Sequence, residues 1–161
     1  MRKVDCVLLA MVAAAFIGLC GVWSTSRAHA APDEGAYAGA EKCAMCHGDL
    51  TKGWKTTRHA AAFETLKKKS QDKLPACVKC HVTGFEKTGG YVDQELTPEL
   101  AGVQCEACHG PAAAHAANPA NKSNLVARPG DAICRECHTK GQDPKFDYDN
   151  KKRLVHGAGR K

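Results

Sequence analysis

Eight of the ten cysteines in this 161-residue chain fall into four copies of one five-residue pattern, which limits the fold more than any other feature. The copies are Cys43-Ala-Met-Cys46-His47, Cys77-Val-Lys-Cys80-His81, Cys105-Glu-Ala-Cys108-His109 and Cys134-Arg-Glu-Cys137-His138. Two thiols three positions apart lie on one side of a helical turn and can add to the two vinyl groups of a porphyrin. The next residue then sets an imidazole under the iron as proximal ligand. A disulfide scaffold needs no histidine after every second cysteine, and neither does a zinc ribbon. A thioredoxin-like redox pair needs only one motif. The pattern therefore predicts four haem c groups, with His47, His81, His109 and His138 as proximal iron ligands.

The other two cysteines, Cys6 and Cys20, belong to an N-terminal stretch with the features of a secretory signal. Arg2 and Lys3 supply its positive start, residues 7–22 are apolar or small, and Ala28-His29-Ala30 offers a cleavage site. A lipoprotein signal would need a small residue before Cys20, where Leu19 stands. The expected division is a cleaved signal over residues 1–30 and a tetrahaem domain over 31–161. Export would place that domain in the periplasm or outside the cell, with no stable membrane span after cleavage.

Residues 31–161 hold only seven Leu, one Ile, six Val and three Phe, 17 of 131 residues or about 13%. Chains below roughly 20% in these residues struggle to bury enough apolar surface to fold. Four porphyrins would supply the missing interior. The same segment carries 20 Lys and Arg against 16 Asp and Glu, a net charge of +4 spread along the chain. That excess is too thin for a nucleic-acid partner and modest beside the eight propionates of four haems.

The sixth iron ligand governs redox behaviour. Beyond residue 30 the only methionine is Met45, trapped between two attachment cysteines, so bis-histidine haems of low potential are expected. The distal candidates are His59, His115 and His156. Three spare histidines for four irons leave one short. Either that iron is five-coordinate, a neighbouring subunit donates a histidine, or the signal is cut earlier and His29 survives.

The motifs start at 43, 77, 105 and 134, intervals of 34, 28 and 29 residues, so they mark four binding units, not a sequence-matched solenoid. A helix is expected over 54–69, with Phe63 and Leu66 on its apolar side and His59 near its start. Lys67, Lys68 and Lys69 would be its solvated end, or a docking patch for an acidic partner. A second helix is expected to carry His109 toward His115 after Pro111 fixes its first turn. Residues 84–102 read as a loop or short hairpin and 118–129 as a linker. The polar tail from 141 would have to fold back for His156 to meet a haem. The fold class is mainly α with long loops, a compact multihaem cytochrome whose haems form the core.

Three stretches carry a more specific likeness: Cys43-x-x-Cys46-His47 with Trp54-x-x-x-x-His59-Ala60, Cys77-x-x-Cys80-His81-x-Thr83-Gly84, and Val103-Gln104-Cys105-Glu106-x-Cys108-His109-Gly110-Pro111-x-x-x-His115. Across residues 36–119 the chain resembles the cytochrome c554 family of tetrahaem cytochromes, while the fourth site and tail match more loosely and the chain is short for that family. The resemblance implies closely packed haems, stacked in parallel or nearly at right angles, that pass electrons among themselves. It also implies three bis-histidine haems and one five-coordinate haem, by motif order that of Cys77, Cys80 and His81. Related tetrahaem chains polymerise into extracellular wires in which one subunit donates a histidine to the next.

An electron carrier between redox partner proteins is the leading expectation, since nearly every histidine is assigned to iron and no acid–base constellation remains. The alternatives are a reductase of nitric oxide or peroxide at the open haem, and a filament subunit. The poor aliphatic content predicts a largely unfolded haem-free chain. Far-ultraviolet circular dichroism of apoprotein made without haem attachment checks this, and a cooperative thermal transition would contradict it.

Overall fold

The computed structural model describes residues 35–157; the expected signal segment lies outside them. Within that span the regular elements are α1 (Ala40–Ala44), α2 (Gly48–Trp54), α3 (Ala62–Lys67), α4 (Pro75–Val78), a 3-10 turn (Pro98–Leu100), α5 (Cys105–His109), α6 (Ala113–Ala117), α7 (Asp131–Arg135) and α8 (Tyr148–Lys151). No β-strand forms among the described residues, where pairing is limited to one antiparallel bridge between Val82 and Ala101. The mainly helical, loop-rich expectation holds. Helices of four to seven residues are far below the length that is stable alone in water, so tertiary ties must hold them.

One tie is a small apolar cluster of Phe63, Leu66, Val78, Val82, Tyr91 and Leu100 beside the second attachment motif. Phe63 and Leu66 lie one turn apart on α3, which accounts for that helix's inward side. Pro75 opens α4, where its missing N–H costs nothing.

Backbone polar groups supply the second tie. Thr83 is fully buried and stands where three segments meet, its own, that of Tyr91 and residues 100–104. Its N–H donates to the Leu100 carbonyl (3.0 Å) and its carbonyl accepts from Tyr91 N–H (3.0 Å). Its hydroxyl donates to the Gly102 carbonyl (2.8 Å) and accepts from Gln104 N–H (2.9 Å). Gly90 closes the loop between Thr83 and Tyr91 by lying against Gly84, and a Cβ on Gly90 would collide with the Gly84 carbonyl.

The third tie is residues 103–106. The Gln104 side chain accepts from Ala40 N–H (2.6 Å) and donates to the carbonyls of Glu99 and Ala101. The Glu106 carboxylate accepts from three backbone N–H groups, those of Ala38, Gly39 and Ala112. Val103 accepts from the Trp54 indole (2.9 Å) and donates its own N–H to the His59 carbonyl (3.0 Å).

Two expected helices differ from the structure. The single helix over 54–69 is two, α2 and α3, parted by turns from Lys55 to Ala61. Thr56 and Thr57 bond the carbonyls of Gly53 and Trp54 through their hydroxyls, and Val103 takes the His59 carbonyl, so helical partners are lost there. The second helix is likewise interrupted. α5 stops at Gly110, whose φ of 88° is left-handed, and α6 begins only after Ala112, so Pro111 precedes the helix and does not open it. Residues 84–102 are loop with one bridge and one 3-10 turn, and 118–129 hold no regular element, both as expected.

Thr83→Val keeps the shape at this crossing and removes the hydroxyl, leaving two buried backbone partners unsatisfied. The expected loss is about 1–3 kcal/mol, read as a lower denaturation midpoint of the holoprotein, while Thr83→Ser should sit between the two.

Candidate haem-binding site

Each attachment pattern starts on a short helix and finishes one turn later. Cys43 lies in α1, Cys77 in α4 and Cys134 in α7, while α5 contains the whole third motif. In the first and fourth motifs the histidine N–H reaches back to the first cysteine's carbonyl, at 2.8 Å for His47 and 2.9 Å for His138. In the second, His81 N–H reaches the Val78 carbonyl (2.8 Å). That turn sets both sulfurs and the following imidazole on one side of the backbone.

Long-range folding then brings histidines together in pairs. The rings of His47 and His115 face each other with centroids 6.4 Å apart and planes 24° from parallel. His109 faces His156 at 6.0 Å and 22°, and His59 faces His138 at 6.1 Å and 58°. Each pair joins one motif histidine to one of the three spare ones. Two imidazoles held by one metal from opposite sides, each at about 2 Å with about 1 Å more from nitrogen to ring centre, would have centroids about 6 Å apart. The three pairs therefore have the spacing that one iron between two axial ligands requires. Among the described residues no group of three or more His, Cys, Asp and Glu converges on a bare ion, which is the donor set zinc would need. The side chains fit haem.

His81 is the exception. No other imidazole faces it among the described residues, and His29 lies outside them.

Second ring nitrogens are engaged in a way that orients the rings. Nδ1 of His81 is 2.7 Å from the Ala62 carbonyl, that of His109 2.7 Å from the Val126 carbonyl and that of His115 2.9 Å from the Asn121 carbonyl. His138 instead meets the Asp143 carboxylate at 3.0 Å and stacks on Phe146 at 4.5 Å. Such partners fix which nitrogen is presented to iron, and a carboxylate raises the ligand's basicity. Burial lowers the pKa of His59, with the facing His138 adding to it, so the neutral, metal-binding imidazole is favoured.

The attachment sulfurs show how the sites adjoin. Cys43 and Cys105 are hydrogen-bonded, which pushes the Cys43 thiol up and pulls Cys105 down against its burial. Burial, then a hydrogen bond to Cys80, pushes Cys137 up to about 12. Cys108 is raised to about 11 by burial and then by Cys134. A thioether does not titrate, so the worth of these contacts is spatial: a sulfur of the first site touches one of the third, and a sulfur of the fourth touches one of the second.

The chain is similar to known proteins. The family profile "Cytochrome c554 and c-prime" matches residues 42–110. Cytochrome c-554 of Nitrosomonas europaea is 36% identical over an alignment covering 69% of this chain and 54% of that protein. The multiheme cytochrome MtrA of Shewanella baltica is 32% identical over 44% of this chain and 24% of its own length. The solved reduced state of the Nitrosomonas europaea cytochrome c554 superposes with a TM-score of 0.58 at 26% identity, covering 78% of this chain and 85% of that one.

The chain belongs to the cytochrome c554 family.

It is a multihaem c-type cytochrome with four haem c groups as cofactors. It spans about half the length of cytochrome c-554 and about a quarter of MtrA. One polar residue of the site escapes sequence reading: Asp143 sits five residues beyond His138 with no pattern to mark it, whereas Glu106 belongs to the motif that carries the family likeness. A carboxylate in a motif otherwise filled by Ala, Met, Val, Lys and Arg was the available signal for Glu106, although Glu136 occupies the next position of the fourth motif and is exposed.

Proposed function

We propose that this cytochrome is an exported electron carrier that relays electrons between redox partner proteins through four haems. Cys43 and Cys46, Cys77 and Cys80, Cys105 and Cys108, and Cys134 and Cys137 form the thioethers. His47, His81, His109 and His138 are the proximal ligands. His115 completes the first site, His156 the third and His59 the fourth. The bound haems supply one-electron Fe(III)/Fe(II) couples; the polypeptide sets their spacing, ligands and burial. The three facing imidazole pairs carry this reading, because unrelated surface histidines would have no cause to meet repeatedly at about 6 Å.

Contacts between attachment sulfurs support electron exchange between the first and third sites and between the fourth and second. Export rests on the residues 1–30 and gives the periplasm as the expected compartment. None of the described helices is long and apolar enough to cross a membrane.

A second reading has one observation behind it. The solitary His81 suits a five-coordinate haem open to a small molecule such as nitric oxide or peroxide, or to a histidine from another copy in a filament. Low-temperature electron paramagnetic resonance of the oxidised protein separates these. The expected spectrum has one high-spin haem in four, perturbed by nitric oxide, and His115→Ala should raise the high-spin share to two in four. Four low-spin haems in a monomer would sink the open site, and low-spin conversion only on polymerisation would favour the filament.

A further inference from the structure

Glu106 is 3% exposed, and no ion pair to it forms among the described residues. Its Oε1 accepts from Ala38 N–H (2.8 Å) and Ala112 N–H (2.7 Å), and its Oε2 from Gly39 N–H (2.8 Å). Both oxygens act only as acceptors, the arrangement that suits a carboxylate. A neutral amide could satisfy two of these donors but would set an NH2 group against the third, so the three donors together suit a carboxylate.

Its position gives the charge a use. Glu106 follows Cys105 directly, and Cys105 is hydrogen-bonded to Cys43 of the first site. Gly39, which donates to Glu106, accepts the Cys43 thiol at its carbonyl (3.6 Å). Glu106 therefore lies at the seam where the first and third attachment sites meet, and its charge raises the pKa of both Cys43 and Cys105. The second and fourth sites meet elsewhere, at Cys80 and Cys137. The fourth motif carries Glu136, whose charge also raises Cys108 and Cys137, but among the described residues it accepts no backbone hydrogen bond and stands on the exposed surface, where water and salt screen it.

We infer that Glu106 is a potential-setting residue: a buried anion at the seam of the first and third sites that holds their haems at lower potential than the other two. This rests on the attachment pattern proposed above. Reduction adds one electron to ferric iron and makes or breaks no bond. The oxidised site has the larger positive charge, so a fixed negative charge nearby stabilises it more, and in a dry setting that preference is little screened. Glu106 touches no iron; it acts through the field at the pair.

Spectroelectrochemical titration of the holoprotein tests this. Four one-electron components are fitted for wild type, Glu106→Gln and Glu136→Gln. In Glu106→Gln two components should move up, with the reduced-to-oxidised ratio at their wild-type midpoints rising about tenfold, which is 59 mV for a one-electron couple. The other two should move clearly less, and Glu136→Gln should leave all four near wild type. Unmoved components in Glu106→Gln, an equal shift of all four, or an equally large effect of Glu136→Gln would each overturn the assignment. Should Glu106→Gln not accumulate with four haems, redox-difference infrared spectra of the Glu136→Gln protein with 13C-labelled glutamate carry the test. A labelled carboxylate band that follows the two lowest-potential components is expected, and its absence overturns the role. Peptide mapping distinguishes this from failure of the reading beneath it. Haems found off Cys43, Cys46, Cys105 and Cys108 would sink both, whereas correct attachment with unmoved potentials sinks only the role of Glu106.

Discussion

Three imidazole pairs, each spaced for one iron, are the constraint on which the rest of the molecule depends. They join positions 47 to 115, 59 to 138 and 109 to 156. They span 68, 79 and 47 residues of sequence, and together they interleave: the segment that ends one pair passes through the next. A chain tied this way gains its compactness from metal ligation and covalent attachment, as small domains elsewhere gain it from disulfides. The short helices follow from the same cause. Each needs to last only long enough to set two sulfurs and a ring on one side, about one and a half turns.

The polypeptide's own contribution is concentrated where the haem ties leave a gap. The apolar cluster of Phe63, Leu66, Val78, Val82, Tyr91 and Leu100 lies beside the second attachment site, the one whose histidine faces no partner ring among the described residues. At the first and third sites, buried hydrogen bonds from Gln104 and Glu106 take that part instead. Segment 103–106 thus links three separate jobs. It holds residues 38–40 in place, anchors the Trp54 indole and the His59 backbone, and continues directly into an attachment helix. Because each link ends on a backbone group, the arrangement tolerates little movement of the main chain, which suits cofactors whose spacing governs electron transfer.

Much of the site was legible in the sequence because the chemistry demands contiguous residues. Thioether formation and proximal ligation need two cysteines and a histidine within one turn, so four such groups can be read from spacing alone. The scarcity of large aliphatic residues was equally legible and pointed to a cofactor-filled interior. Helix limits were less so. The alanines at 60–62 and the apolar Phe63 and Leu66 argue for a helix through 54–69, yet Thr56, Thr57 and the contact from Val103 break it, and propensity yields to those tertiary bonds. Asp143 left no trace for the same reason: its meeting with His138 depends on how a loop turns after the motif.

Sequence by itself determined the number and nature of the cofactors and displayed four Cys-x-x-Cys-His patterns beside only three further histidines after residue 30. It did so because those facts are local chemistry or simple counting. Only the tertiary structure decided that His115 meets His47, His156 meets His109 and His59 meets His138, with no imidazole facing His81 among the described residues. Which imidazole crosses to which site depends on chain paths of 47 to 79 residues. Those paths are set by buried polar contacts such as Gln104 and Glu106, whose partners are backbone amides that any sequence would supply.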